Sequence, residues 1–167
     1  MKGMVKGLTA IALATALFAA PAHAQGSVGI GGSGLFSLEE GGGSDFGASA
    51  MFGWAGANGF GFRADASYIF SDPASVLVNA GLMYRFMTSE TSTIHPYILA
   101  GGTLLGLDTF DEMLYGVNAG AGFDFMMSNS NITPFAEARF VYTFEKDLFA
   151  SASWLQAIAG VKFPLGQ

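Results

Sequence analysis

The sequence predicts an all-β chain, an eight-stranded antiparallel up-and-down β-barrel that crosses a membrane. Three observations carry that expectation. Apolar residues recur with period two in segment after segment, and the breaks between segments are clusters of Gly, Ser, Asn, Asp and Glu. Of the 167 residues 51% are hydrophobic and only 12% charged, about half the charge that a water-facing globular surface carries. Beyond the first 24 residues, no run approaches the roughly 20 consecutive apolar residues that a membrane-spanning helix requires.

The chain opens with Lys2 and Lys6, an apolar stretch from Leu8 to Ala20, Pro21, and then Ala22-His23-Ala24 ahead of Gln25. A basic start, a short apolar core and a small-x-small ending predict a secretory signal peptide over 1–24, with 25–167 as the exported barrel domain. Removing Lys2 and Lys6 leaves five basic against thirteen acidic residues, so the formal charge moves from -6 to -8. Cysteine is absent. Disulfides, thiolate metal sites and cysteine nucleophiles are therefore excluded together.

Eight strands follow from the alternation. The first covers 27–38, with Val28, Ile30, Phe36 and Leu38 on one face, and the second covers 45–55, with Phe46, Ala48, Ala50, Phe52 and Trp54. Gly56-Ala57-Asn58-Gly59 is a tight-turn sequence. The third strand, 60–70, carries Phe60, Phe62, Ala64, Ala66, Tyr68 and Phe70; after Ser71-Asp72-Pro73 the fourth, 76–86, carries Val76, Val78, Ala80, Leu82, Tyr84 and Phe86. The fifth spans 94–105 (Ile94, Ile98, Ala100, Leu104), and an acidic link from Gly106 to Met113 leads to the sixth, 114–126 (Tyr115, Val117, Ala119, Ala121, Phe123, Phe125). The seventh is 132–144 (Ile132, Ala136, Ala138, Phe140, Tyr142, Phe144), and the eighth is 153–163 (Leu155, Ala157, Ala159, Val161, Phe163), joined by Glu145 to Ala152.

Alternation alone does not say which face meets water. The second phase does. It is mostly Gly, Ser and Thr, the small residues that suit a narrow barrel lumen, and it holds seven strand charges: Arg63, Asp65, Arg85, Asp124, Glu137, Arg139 and Lys162. Four positive and three negative charges predict a paired internal network, because a buried charge is costly unless it is matched and hydrogen-bonded. Met51, Met83, Leu99, Phe135 and Trp154 share that phase and are expected to help plug the lumen. On the apolar phase, aromatics such as Phe46, Trp54, Phe60, Phe70, Phe140 and Phe163 sit toward the strand ends, and alanines such as Ala48, Ala64, Ala119 and Ala159 occupy the middles. Two aromatic girdles about an aliphatic band are the pattern of a membrane barrel.

Thr133-Pro134-Phe135-Ala136-Glu137-Ala138-Arg139-Phe140, the run from Gly116 to Phe125, His95-Pro96-Tyr97 with Gly101-Gly102, and the closing strand from Trp154 to Phe163 resemble the outer-membrane protein β-barrel domain family, the small eight-stranded barrels of OmpA/OmpX type. The resemblance covers the whole exported chain. It implies location in the cell outer membrane, a periplasmic N-terminus and even-numbered turns, odd-numbered loops outside the cell, and a monomer. It also implies outer-membrane lipids as surroundings, barrel-assembly machinery and periplasmic chaperones as partners during biogenesis, and Phe163 as an assembly signal.

Other chemistry finds little support. The outer loops hold Glu39, Glu40, Asp45, Asp72, Asp108, Asp111, Glu112, Glu145 and Asp147 against Lys146 alone, but without the ligand spacing of a calcium loop. A solvated rim is the expected reading, with no metal and no cofactor. His95 is the only histidine after processing, beside Pro96 at the opening of the fifth strand, and no base-orienting partner is visible near it, so no catalytic residue is assigned. Five basic residues spread over the exported chain leave no footprint for nucleic acid. The expected function is structural or surface-interactive, with membrane integrity and adhesion as examples, non-enzymatic and without a wide pore. A narrow transporter of small solutes or lipid, an outer-membrane lipid-modifying enzyme and a soluble lipocalin-like carrier remain as alternatives.

Overall fold

In the computed structural model, residues 25–88, 92–107, 112–127, 130–144 and 151–165 are described. The expected signal peptide over 1–24 lies outside them. Eight strands form one closed barrel, each hydrogen-bonded to its chain neighbours and β1 closing on β8, all antiparallel. They are β1 (Gln25–Ser37), β2 (Ser44–Ala55), β3 (Phe60–Ile69), β4 (Ser75–Arg85), β5 (Ile94–Leu107), β6 (Glu112–Phe125), β7 (Thr133–Thr143) and β8 (Ala152–Leu165). No described residue is helical.

Every strand end falls within two residues of the expected bounds, and two of the shifts change the reading. The acidic link between β5 and β6 is shorter than Gly106 to Met113, because Leu107 pairs with Glu112 and Gly106 with Met113; backbone pairing at a hairpin end needs no apolar side chain. At the other extreme, β8 runs past Phe163. Pro164 lies opposite Ser27 and Leu165 opposite Gly26, and a missing N–H is tolerated at the fringe of a strand.

Register fixes the geometry. From Gln25 the paired positions run through Ala55, Gly61, Met83, Leu99, Gly120, Arg139 and Gln156 and return to β1 at Leu35, ten residues along the starting strand. Ten residues of shear over eight strands correspond to a tilt of about 40°, given a rise of ~3.3 Å per residue and ~4.7 Å between strands. Each residue then adds about 2.5 Å of height. The ten residues of β3 rise about 25 Å, the height of the apolar band of a membrane barrel.

The lumen glycines shape the wall. A Cβ added at Gly101 would lie 2.1 Å from the Ala80 carbonyl oxygen and 2.5 Å from the Gly81 Cα, and one at Gly160 would lie 2.1 Å from the Ile30 oxygen and 2.6 Å from the Gly31 Cα. Facing backbones approach so closely there that only glycine fits. Clashes of 2.4 Å or less with a neighbouring strand's carbonyl oxygen recur in β2/β3, β4/β5, β6/β7 and β8/β1, and in none of the four intervening pairs among the described residues. The sheet turns its tightest corners at alternate strand pairs.

Outside, the barrel is apolar. Ile30, Phe46, Phe60, Phe70 and Leu82 are each at least 60% exposed, and no described strand residue of this phase is charged. The aromatics associate at both ends. Phe36 meets Phe46 and Tyr68 meets Phe70 near the loop end (ring centroids 6.2 and 5.6 Å apart), while Phe60, Tyr84 and Phe86 form a chain at the end that carries the termini (4.9 and 5.3 Å). Such an exterior is far beyond the few hundred Å² of contiguous apolar surface that a soluble monomer exposes.

Candidate functional site: the filled lumen

The interior is filled in layers from the loop end to the terminal end. Leu35, Leu77, Leu105, Leu114 and Val141 form an apolar cap against which the partly buried Trp154 packs. Beneath it lies a layer of amides and hydroxyls. Gln156 donates from Nε2 to Ser67 Oγ (3.1 Å) and Ser33 Oγ (3.3 Å), and Ser67 shares a 2.6 Å bond with Ser49. Asn79 donates to Gln156 Oε1 (3.1 Å) and to Asp65 Oδ2 (3.0 Å), and its own oxygen accepts from Thr103 (2.7 Å) and Asn118 (3.3 Å).

Asp65 links this layer to the ionic one below. Arg139 on β7 pairs with Asp65 on β3, directly across the barrel, and with Glu137 on its own strand. Arg63 on β3 reaches back to Glu137 at 2.8 Å and lies 3.8 Å from Asp65. Tyr97 completes the set: it accepts from Arg63 Nη1 (3.0 Å) and donates to Glu137 Oε2 (2.7 Å). Two cations and two anions cancel, and all four side chains are at most 3% exposed. The connected network takes at least one side chain from every strand: Ser33, Ser49, Asp65, Asn79, Thr103, Asn118, Arg139 and Gln156 in chain order.

The fold makes room for these large side chains by setting glycine beside them. Arg63 is paired in register with Gly53 on one side and Gly81 on the other, Arg139 with Gly120, and Tyr97 with Gly122. A Cβ on Gly122 would fall 2.6 Å from the Tyr97 hydroxyl oxygen. Small beside large is the packing rule of a narrow barrel.

At the terminal mouth, Asp124 pairs with Lys162 and, at 3.3 Å, with Arg85. Lys162 lies over the rings of Tyr97 and Phe135, 4.7 and 4.9 Å from their centroids. All seven charges named from the sequence thus point inward, in two clusters. Met51, Met83, Leu99 and Phe135 are buried inside as well. Sequence reasoning did not single out Tyr97, Asn79, Thr103, Asn118 or Gln156 as hubs; the available signal was that each shares its strand's lumen phase.

Phe163 faces outward on β8, opposite Val28. Half-buried His95 has both ring nitrogens occupied, Nδ1 at 3.0 Å from Thr88 Oγ1 and Nε2 at 3.0 Å from the Ser92 carbonyl oxygen. Of the rim acids, Glu39, Glu40, Asp45 and Asp72 are exposed, whereas Asp108, Asp111, Glu145 and Asp147 lie outside the described residues, as does the side chain of Glu112. Among the described residues no group of three His, Asp or Glu side chains is arranged to hold a metal.

No protein-family model matches the chain, and no curated protein matches it significantly. Solved structures do. The crystal structure of Neisserial surface protein A is similar with a TM-score of 0.64 at 17% identity, covering 85% of this chain and 97% of that one. The N-terminal β-barrel domain of Pseudomonas aeruginosa OprF gives 0.59 at 20% identity, with 83% and 97% covered. Ail, the attachment invasion locus protein of Yersinia pestis, gives 0.50 at 18% identity, with 84% and 99% covered. What this chain shares with all three is the fold, the closed eight-stranded barrel of small outer-membrane proteins.

Proposed function

We propose that the chain is a monomeric outer-membrane barrel with a structural or surface-interactive role, non-enzymatic and without a wide pore. The observation that carries this reading is the pairing of an apolar, aromatic-girdled exterior with a lumen closed by struts from all eight strands. An exterior of that kind is stable in lipid rather than in water. Inside, Arg139–Asp65 and Asn79–Gln156 link opposite walls, and the leucine cap closes the loop end. Catalysis is disfavoured because neither nitrogen of His95 has a carboxylate partner among its hydrogen bonds.

In the same reading, 1–24 is a signal peptide, the termini and the β2–β3, β4–β5 and β6–β7 turns lie in the periplasm, and outer-membrane lipid surrounds the barrel. Assembly machinery and periplasmic chaperones handle it during biogenesis, with outward-facing Phe163 as an assembly signal although the strand continues to Leu165.

Extraction and conductance test the reading together. The protein is expected to require detergent, to migrate differently on gels before and after boiling, and to give no porin-sized conductance steps in planar bilayers. Large steady open-channel steps would overturn the closed lumen; a chain that stays monodisperse without detergent would overturn the membrane location.

A further inference from the structure

We propose that the mouth at the terminal end binds a small oxyanion, the size of a phosphate or a carboxylate, between Arg85 and Lys162. Two cations share one carboxylate there: Lys162 Nζ meets Asp124 Oδ1 and Arg85 Nη2 meets Oδ2 at 3.3 Å. One positive charge is left over among the described residues of the mouth. Arg85 is also under-used as a donor. Its guanidinium offers five N–H groups, its hydrogen bond to a side chain is the single long one to Asp124, and its Nε is buried with no partner among the described residues.

Arg85 borders space on two sides. Arg85 and Lys162 line a recess of about 70 Å³ together with Asp124 and the hydroxyl-bearing Ser27 and Thr133. On its other flank Arg85 borders a hollow of about 270 Å³ that His95 and Thr88 also line. The recess is small, which favours a ligand group of phosphate or carboxylate size. Its rear is fixed by Lys162 seated over the Tyr97 and Phe135 rings, so one cation is already in place and an arriving oxyanion completes its coordination. Charge-assisted bonds from a guanidinium and an ammonium to an oxyanion are among the strong hydrogen bonds of proteins. Asp124 opposes the anion but is outnumbered two to one.

Asp124 makes the idea separable from a purely structural role. The test is calorimetric titration of sodium phosphate, and separately of sodium acetate, into the full barrel refolded in uncharged maltoside micelles at constant ionic strength, with folding of every variant verified by its boiling-dependent gel shift. Saturable binding is expected for the unaltered protein, and its loss in Arg85→Gln and Lys162→Met. Asp124→Asn removes the one opposing charge a few ångströms away and is expected to tighten binding about tenfold or more. Phosphate alone binding would assign a phosphate-bearing ligand, and both probes binding would assign the wider oxyanion class. No saturable heat from either probe overturns the proposal. So does equal binding in Arg85→Gln, or weaker binding in Asp124→Asn.

Discussion

Replacing Arg139 with methionine is expected to lower the stability of the barrel by about 3–5 kcal/mol, the cost of removing one partner from a fully buried ion pair. The reason lies in the charge count of the ionic layer. Arg139 and Arg63 balance Asp65 and Glu137; without Arg139, two carboxylates share one guanidinium in a space closed by the leucine cap on one side and by Tyr97 and Phe135 on the other. Neither acid can turn to water. Arg139→Lys keeps the charge but loses the planar fork that reaches Asp65 and Glu137 at once, and an intermediate loss is expected. Equilibrium unfolding in denaturant, followed by the fluorescence of Trp54 and Trp154, checks both. A loss under about 1 kcal/mol for Arg139→Met would mean that the pair behaves as a solvated one, and hence that water fills the lumen.

Gly101→Val is expected to be more damaging still and to prevent closure of the barrel. The first added carbon alone would lie 2.1 Å from the Ala80 carbonyl oxygen and 2.5 Å from the Gly81 Cα. Relief requires two backbones to separate at one of the tight corners, beyond the ~1–3 kcal/mol that overpacking of a flexible core costs. Gly32→Val is the matched control. Gly32 is on the outer face of β1, where a Cβ meets nothing within 4 Å, and the folded yield is expected to stay unchanged. The fraction of protein migrating as the heat-shifted species reads both variants. Normal folding of Gly101→Val would contradict the assignment of glycine to the barrel corners.

Much of the fold is legible in the sequence, and the reason is the period. A wall one residue thick with lipid outside and a crowded lumen inside imposes opposite demands on successive residues, so phase can be read strand by strand and the seven inward charges follow from it. What phase cannot supply is the vertical offset between strands. Asp65 meets Arg139 only because the registers accumulate to ten residues of shear; with another shear the same residues would face inward and meet different partners. For that reason Asn79 and Gln156, on opposite walls, are invisible as a pair until the barrel is closed. Tyr97 is a different case. Its lumen phase is readable from the alternation, but the space that Gly122 leaves for its ring and its bonds to Arg63 and Glu137 are set by register.

The central claim is that the uncharged phase of each strand faces lipid. Because the chain contains no cysteine, single cysteines can be introduced without altering a background. Spin labels placed in turn at Ala64, Ala66, Tyr68, Ala80, Ala119 and Ala159 in lipid vesicles, with power-saturation measurement of collision with oxygen and with a water-soluble nickel chelate, read the surroundings of each site. The expected result is high oxygen and low nickel accessibility at all six, with oxygen collision higher at mid-strand Ala66 and Ala119 than at Tyr68 near the loop end. Nickel accessibility at Ala64, Ala66 and Ala119 equal to that of an exposed loop site such as Gly43 would contradict it.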